Sequence, residues 1–249
     1  MDYRQYLKRL DVPLELSAFS SLMRLQDAHL KKIPFENLDV IQKEPIYLNL
    51  KTMYAKVIGQ GRGGYCYELN GLFQALLTEL GYPARLISAT VLRPNNEWAK
   101  ADTHAAMIVE LDQSYLVDVG FGAMTPRIPV PLSGEAVHTN VGEIYKVEKQ
   151  TDHIFDLIRE TKNASRVLYR FSSKSKQLID FHEGCVFNQV SKDSTFTHTD
   201  ILSLATEKGR VTLHDHLLTE VKGEEMTKST LSTEEKEHVL TNIFGISLK

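Results

Sequence analysis

A cysteine preceded by glycines is the first feature of the sequence that could do chemistry. Cys66 lies within residues 61–71, after three glycines and at the start of an apolar helical pattern. The free amides and the dipole at a helix N-terminus favour the thiolate, which is the nucleophilic form of cysteine, and the same amides can hold an oxyanion. The pattern therefore predicts a nucleophile. The alternative is a small buried apolar side chain, which is common for free cysteines.

A base and a carboxylate follow in the order that a nucleophilic triad needs. His104 begins the apolar run of residues 105–109, and Asp118 lies inside the apolar run of residues 115–119. Because a polar group in a buried strand needs a partner, a hairpin of the two runs predicts an Asp–His contact. A structural histidine and a strand-end aspartate are the alternatives for each residue alone. The set of three favours a catalytic triad.

The second cysteine and a pair of histidines carry weaker signals. Cys185 has Gly184 beside it but neither a helix start nor a nearby base, so we interpret it as a buried structural residue. His214 and His216 have an H-x-H spacing that metal sites use, but no further ligand cluster accompanies them. We therefore expect surface or strand histidines and no metal. The sequence contains neither a P-loop nor a Rossmann glycine pattern.

Helical periodicity dominates the first third of the chain. The pattern predicts helices over residues 17–32, around residues 50–57 and over residues 69–80. Pro34 follows the first helix and ends it, because proline cannot continue the hydrogen-bond ladder. Asn49 is placed to cap the second helix, and Gly81 is placed to adopt the left-handed conformation after the third.

Short apolar runs replace this periodicity in the middle of the chain. Strands are predicted at residues 84–92, 104–111, 115–119, 154–159, 166–171, 210–213 and 217–221. Residues 112–114 look like a hairpin turn, and residues 94–96 and 161–163 look like surface loops. Strands that follow one another without long helices indicate an antiparallel sheet or barrel. A capping box at residues 232–235 predicts a last helix that carries apolar residues to Phe244 and ends at Gly245.

Composition narrows the function classes. The chain has 249 residues, which suits one globular unit of two or three sub-domains around a cleft. Its net charge of −3 disfavours binding to nucleic acid or to an anionic membrane. The start is charged and lacks the apolar core of a signal peptide, and no run approaches the roughly 18 apolar residues of a membrane span. With two cysteines and no disulfide framework, we expect a cytoplasmic protein.

Several of these segments resemble the motifs of one family, the arylamine N-acetyltransferases. Residues 62–71 are similar to its R-G-G-x-C-x-E-x-N active-site motif, and residues 33–38 contain a P-F-E-N-L segment like that of the family. The strand begun by His104 and the stretch of residues 118–122 match its histidine and aspartate motifs in order and spacing. Residues 239–246 are also similar, so the resemblance covers nearly the whole chain. It points to the bacterial type, which lacks the C-terminal tail of some animal members.

The resemblance implies an α+β fold with a cysteine-protease-like arrangement of the active site. Its three parts would be an N-terminal helical bundle, a central antiparallel β-barrel and a C-terminal α/β lid, over residues 1–83, 84–190 and 191–249. The implied catalytic residues are Cys66, His104 and Asp118. Those implied to contact the substrate are Phe35, Thr103 and Phe121, and those implied to contact coenzyme A are Gly122 and Ser194. Glu36 and Arg62 would form a mainly structural pair near the site.

The implied activity is acetyl transfer from acetyl-coenzyme A through an acetyl-cysteine intermediate, with ping-pong kinetics. The acceptor would be an arylamine, an arylhydrazine or an N-hydroxyarylamine, as in xenobiotic metabolism. No metal, nucleic acid or membrane partner is implied. Two alternatives stay open at this stage: a cysteine hydrolase or transglutaminase-like enzyme with the same triad order, and a catalytically silent homologue that binds small molecules.

Overall fold

The computed structural model of the protein describes residues 2–13, 19–161 and 164–247, which form seven α-helices and thirteen β-strands. The helices are α1 (Tyr3–Leu10), α2 (Phe19–Lys32), α3 (Leu38–Ile41), α4 (Leu50–Tyr54), α5 (Cys66–Glu79), α6 (His182–Val190) and α7 (Thr233–Asn242). The strands are β1 (Phe35–Glu36), β2 (Ala84–Val91), β3 (His104–Glu110), β4 (Ser114–Val117), β5 (Val130–Pro131), β6 (Val137–His138), β7 (Ile144–Lys149), β8 (Ile154–Thr161), β9 (Ala164–Ser172), β10 (Ile201–Thr206), β11 (Gly209–His214), β12 (Leu217–Lys222) and β13 (Glu225–Thr230).

Eight strands form the central sheet, in the order β5-β4-β3-β2-β9-β8-β7-β6. Neighbouring strands run antiparallel, and β5 also approaches β7, so the sheet curls into a nearly closed barrel. Its interior is filled by aliphatic and aromatic side chains from the inward face of the strands. The expected α+β fold with a central antiparallel barrel is confirmed.

A second antiparallel sheet crosses the boundary between the first and last parts of the chain. Its order is β1-β10-β11-β12-β13, so two residues of the N-terminal region form its edge. Phe35 pairs with Ser203, and Glu36 pairs with Leu202. Phe35 is thereby fixed at the junction of the two regions. The proposed division at residues 83/84 and 190/191 stays a prediction.

Helix α5 is the buried centre of the helical region. Leu69, Leu72, Phe73 and Leu76 on this helix are fully buried, and the helix packs against β3 and β2 of the barrel. The close approach requires a glycine in the segment after β4, because a Cβ at Gly120 would lie 2.7 Å from the Cα of Cys66. The start of α5 is therefore held directly against the barrel.

The predicted helices and their caps are present, with changed ends. The side-chain oxygen of Asn49 accepts hydrogen bonds from the first-turn amides of α4, which continues into one wide turn over Ala55–Gly59. Gly81 has a φ of 85°, as its position after α5 predicts. The predicted capping box before α7 forms, but the helix ends at Asn242, so its predicted extension to Phe244 is wrong. Phe244 is buried after the chain has left the helix.

The predicted strands are present with ends that shift by at most two residues. The hairpin turn between β3 and β4 starts one residue early, because Ser114 already pairs with Glu110. Residues 94–96 form an exposed turn, as predicted. Of the predicted loop at 161–163, Thr161 ends β8, and the other two residues lie outside the described part of the chain. The predicted start of α2 at residues 17 and 18 also lies outside it.

Helix α6 was not predicted, and the interpretation that no helix starts beside Cys185 is wrong, because α6 begins at His182. The sequence of α6 contains Gly184 and two valines, which lower helix propensity and hide the periodicity. Gly184 is needed for packing, since a Cβ there would lie 2.9 Å from the carbonyl oxygen of Asp102. Tertiary contact with the loop before β3 stabilises this helix more than its local preferences do. In the described ranges, no helix has the length and apolarity to cross a membrane.

We expect the Gly120→Ala variant to lose both stability and activity, because its new methyl group would collide with the backbone of Cys66. Overpacking of this kind costs about 1–3 kcal/mol, which for a chain of this size lowers Tm by roughly 2–12 °C. Thermal unfolding of Gly59→Ala is the control, because a Cβ at that position meets nothing within 4 Å. Equal Tm values for the two variants would contradict the packing argument.

Candidate active site

Cys66 is the first residue of α5, as the glycine-rich approach predicts. It is 3% exposed, and its first-turn backbone amides belong to the group that no helix carbonyl can satisfy. The preceding residue is tied down because the Tyr65 amide donates to Oε2 of Glu68 at 3.2 Å. Lys56 in turn donates to Glu68 Oε1 at 2.9 Å. The thiol therefore stands at a rigid helix start whose dipole favours an anion.

The expected contact between His104 and Asp118 is present. His104 begins β3, and Asp118 follows β4, whose Val117 pairs with Met107. One further step of this register puts Asp118 on the same face of the hairpin as His104. The Nε2 of His104 donates to Oδ2 of Asp118 at 2.7 Å, and both side chains are nearly completely buried.

Asp118 accepts three further hydrogen bonds, which together satisfy its buried charge. Its Oδ2 accepts one from the Tyr169 hydroxyl at 3.1 Å, and its Oδ1 accepts from Asn70 Nδ2 at 2.9 Å and from the Gly120 amide at 2.7 Å. A buried carboxylate is costly unless it is paired in this way. The carboxylate is thus fixed from the barrel, from α5 and from its own loop.

The imidazole of His104 lies between two acidic groups. Because its Nε2 is used by Asp118, its Nδ1 is the ring nitrogen left to interact with the nearby Cys66 thiol, which lines the same cleft. Burial by itself would lower the pKa of His104, but the Asp118 carboxylate and the Cys66 contact raise this pKa from 6.5 to about 10. The rings of Phe121 and Tyr169, each 5.1 Å away between centroids, hold the imidazole in place.

A carbonyl beside the thiol fixes the start of β3. The carbonyl oxygen of Thr103 accepts hydrogen bonds from the Tyr67 hydroxyl at 2.8 Å and from Asn188 Nδ2 at 3.1 Å, and it lies 4.0 Å from the Cys66 sulfur. Since Asn188 belongs to α6, this helix helps to set the distance between the thiol and His104. The Thr103 side chain itself donates to the carbonyl of Lys100 at 2.8 Å, so it is used structurally.

The residues singled out from the sequence meet in one cleft of about 1420 Å³, counted to its open mouth. Seven of them line it, namely Phe35, Cys66, Thr103, His104, Phe121, Gly122 and Ser194. Asp118 is the exception, because it lies behind His104. Ser194 is 3% exposed and its hydroxyl caps the turn at Phe196, so much of its bonding capacity is directed inward.

Sequence reasoning missed Asn70, Tyr169 and Asn188 as functional side chains. Asn70 stands one helical turn after Cys66, a spacing that places both on one face of α5, so the sequence held a signal for it. Besides Asp118, it contacts the Ala105 carbonyl at 2.7 Å and accepts from the Val119 amide at 2.9 Å. Tyr169 lies in a distant strand with no such signal.

A buried charge network lies beneath the segment that leads to Cys66. The expected pair is present, since Arg62 Nη2 donates to Glu36 Oε1 at 2.9 Å, and Arg62 also contacts Asp39 at 2.8 Å. Lys56 contacts the same Asp39 at 2.7 Å and reaches Glu68. Burial raises the pKa of Glu68 to about 7, against the opposing pull of Lys56. The network joins β1 and α3 to the first turn of α5.

Cys185 and the two histidines behave differently from the triad. The thiol of Cys185 contacts the Tyr65 hydroxyl at 3.0 Å, and burial raises its pKa to about 11, which disfavours a reactive thiolate. His214 lies in β11 and lines the cleft, whereas His216 contacts the carbonyl of Leu231 at 2.8 Å. No group of three or more His, Cys, Asp or Glu side chains that could hold a metal occurs in the described part of the chain.

Comparison with known proteins identifies the family of the chain. A family model described as N-acetyltransferase matches residues 18–249. The chain belongs to this N-acetyltransferase family. It is 31% identical to the arylamine N-acetyltransferase of Mycolicibacterium smegmatis over 86% of this chain and 80% of that protein. The family expected from the motifs is therefore confirmed, and with it an enzyme of the acetyltransferase class.

Solved structures extend the agreement to the whole fold. The arylamine N-acetyltransferase NAT3 of Bacillus cereus has a TM-score of 0.92 at 27% identity, and all of both chains is covered. The Mycobacterium marinum enzyme in complex with CoA has a TM-score of 0.91 at 29% identity, covering 98% of this chain and 93% of that one. The B. cereus structure is described as having a unique Cys-His-Glu triad, whereas the carboxylate beside His104 here is an aspartate.

We expect Asp118→Asn to keep the fold and to lower kcat by about 10⁴-fold, as when the orienting carboxylate of a triad is replaced. Because the Gly120 amide and Asn70 already donate to Oδ1, the new amide group would face His104 Nε2 as a donor. The imidazole would then carry its proton on Nδ1 and could not accept the thiol proton. Steady-state kinetics measure the loss. Asp112→Asn, at an exposed position in the β3–β4 turn, is the matched control, and equal rates for both variants would contradict the assignment.

We also expect the His104 ring to be positively charged near pH 8. Since its pKa is raised to about 10, the ring stays an imidazolium at this pH, and the charge is lost only as the pH rises through 10. His29 gives the opposite case, because burial lowers its pKa to about 3. Nitrogen-15 NMR of labelled histidines reads both states, and a His104→Gln variant identifies the signal. A neutral His104 ring at pH 8 would contradict the description of His104 and Asp118 as an ion pair.

Proposed function

We propose that this chain transfers the acetyl group of acetyl-coenzyme A to an arylamine, an arylhydrazine or an N-hydroxyarylamine through an acetyl-Cys66 intermediate. One observation carries the proposal: the thiol at the start of α5 and a histidine that a buried aspartate orients line the same cleft, where the thiol influences the histidine pKa. The names of its relatives as arylamine N-acetyltransferases and the CoA complex of the M. marinum enzyme support the substrate classes.

In the first half-reaction, the proton of the Cys66 thiol already lies on Nδ1 of His104, and the thiolate attacks the carbonyl carbon of the thioester. The bond from carbon to the coenzyme A sulfur breaks, and His104 returns the proton to this leaving thiolate. The products are acetyl-Cys66 and free coenzyme A. The first-turn amides of α5 are the available donors for the oxyanion, and Asp118 stabilises the imidazolium that forms.

In the second half-reaction, the acceptor amine attacks the acetyl-Cys66 carbonyl. Its nitrogen loses a proton to His104, the bond from carbon to the Cys66 sulfur breaks, and the resulting imidazolium again pairs with the Cys66 thiolate. The enzyme returns to its starting state with one amide formed. Both half-reactions use the same cysteine, so the donor product must leave before the acceptor reacts.

The character of the cleft favours an aromatic acceptor. Phe35, Phe121 and Phe196 line it, and such rings prefer edge-to-face or offset contacts with another ring. Alkylamines are cationic near neutral pH, whereas arylamines are mostly neutral and nucleophilic. We assign acceptor contacts to Phe35, Thr103 and Phe121, and coenzyme A contacts to Gly122 and Ser194. We expect the reaction to take place in the cytoplasm, where the thiol stays reduced.

The decisive experiment is the intact mass of the protein after incubation with acetyl-coenzyme A and no acceptor. The wild type should gain the mass of one acetyl group, and adding an arylamine should remove it. Cys66→Ala should gain nothing and lose turnover, whereas Cys185→Ala should still be acetylated. A wild type that stays unmodified would refute the proposal. Hydrolysis of ester or peptide substrates with no acetyl-enzyme would favour a hydrolase instead.

A further inference from the structure

Apart from Cys66 and His104, the charged side chains around the cleft are all of one sign. Among the described residues, no Asp or Glu lines the cleft, although the protein as a whole carries a net charge of −3. Two arginines, Arg93 and Arg166, line it. Since low-dielectric walls focus the field of such charges, the cleft attracts anions on a protein whose total charge repels them.

Both guanidinium groups are held in place by neutral partners. Arg93 Nη2 donates to the carbonyl oxygen of Asp193 at 3.1 Å, and Arg166 Nη2 donates to that of Leu92 at 3.1 Å. Neither arginine forms an ion pair with a carboxylate in the described ranges. By contrast, the nearby Lys100 is neutralised by Glu183 at 2.7 Å. The charges of Arg93 and Arg166 are therefore oriented but uncompensated.

The two arginines are half-buried, whereas Cys66 is buried, so they lie nearer the solvent than the sulfur does. Arg93 lies beside the exposed turn of residues 94–96, and its contact with Asp193 joins this turn to the loop after α6. Arg166 lies on β9 next to the start of the same loop. A guanidinium that has lost part of its freedom to a backbone carbonyl still offers several N–H donors in a fixed plane.

We infer that Arg93 and Arg166 form the site that binds the phosphate groups of the acetyl donor. This inference rests on the proposed function, because acetyl-coenzyme A must bring its thioester to Cys66. The long pantetheine arm separates the thioester from the phosphates, so a donor with its thioester at the floor leaves the phosphates at the mouth. Arginine binds phosphate through paired, charge-assisted hydrogen bonds, and its fixed geometry adds specificity.

The test compares a donor that has phosphates with one that lacks them. Acetyl-coenzyme A and S-acetylpantetheine carry the same thioester, and a neutral arylamine serves as the acceptor for both. For Arg93→Gln and Arg166→Gln, we expect KM for acetyl-coenzyme A to rise about tenfold or more in each, the usual loss for a hydrogen bond to a charged group. For both variants, kcat with acetyl-coenzyme A should stay within about twofold of the wild-type value. Their kcat/KM with S-acetylpantetheine should also stay within about twofold of wild type.

Two further variants separate charge from fold. Arg93→Lys keeps a cation but loses the planar fork, so we expect an intermediate rise in KM. Lys174→Gln removes one exposed positive charge outside the cleft and should leave both donors unaffected. Thermal unfolding of each variant shows whether the loops that Arg93 and Arg166 join have remained folded.

The outcomes distinguish the inference from its alternatives. Equal losses with both donors would overturn it and assign the arginines to the shape of the cleft. An unchanged KM for acetyl-coenzyme A would place the phosphates elsewhere. A rise in KM confined to an aminobenzoate acceptor would show that the arginines bind an acceptor carboxylate. Failure of both donors to acetylate wild-type Cys66 would instead refute the proposed function.

Discussion

The buried carboxylate of Asp118 is the constraint on which the rest of the site depends. An unpaired carboxylate at this depth would be strongly unfavourable, so the fold surrounds it with four hydrogen-bond donors. These donors come from β3, β9, α5 and the loop after β4. The hydrogen bonds to Asp118 therefore fix the helix that carries the thiol relative to the barrel strand that carries His104. The same contacts both pack the core and set the geometry of the candidate triad.

A second set of buried charges holds the other side of the nucleophile. Lys56 and Arg62 neutralise the carboxylates of Glu36, Asp39 and Glu68, and Glu68 receives the amide of the residue before Cys66. Removing Lys56 would leave the buried Glu68 carboxylate without its cation, which is far more costly than losing a surface ion pair. The segment before the nucleophile is therefore rigid, as a preorganised site requires.

The cleft itself is assembled from all parts of the chain. Phe35 comes from the short strand that completes the C-terminal sheet, Phe121 from the loop after β4, and Phe187 and Asn188 from α6. Apolar side chains line most of the cleft, and Arg93 and Arg166 add two positive charges to its wall. This combination suits a donor that has a thioester at one end and anionic phosphates at the other. It also suits an uncharged acceptor.

Local signals in the sequence determined the helix that starts at Cys66, its glycine-rich approach, the cap at Asn49 and the strands that carry His104 and Asp118. These depend on periodicity and on residues that act within a few positions, so one segment suffices to predict them. The tertiary structure decided which distant groups donate hydrogen bonds to Asp118. It also stabilises α6, whose helix propensity is weak, and it places β1 at the edge of the C-terminal sheet. Tyr169, Asn188 and Arg166 acquire their positions only when the barrel curls and α6 docks, because the contacts that define them join residues far apart in the chain.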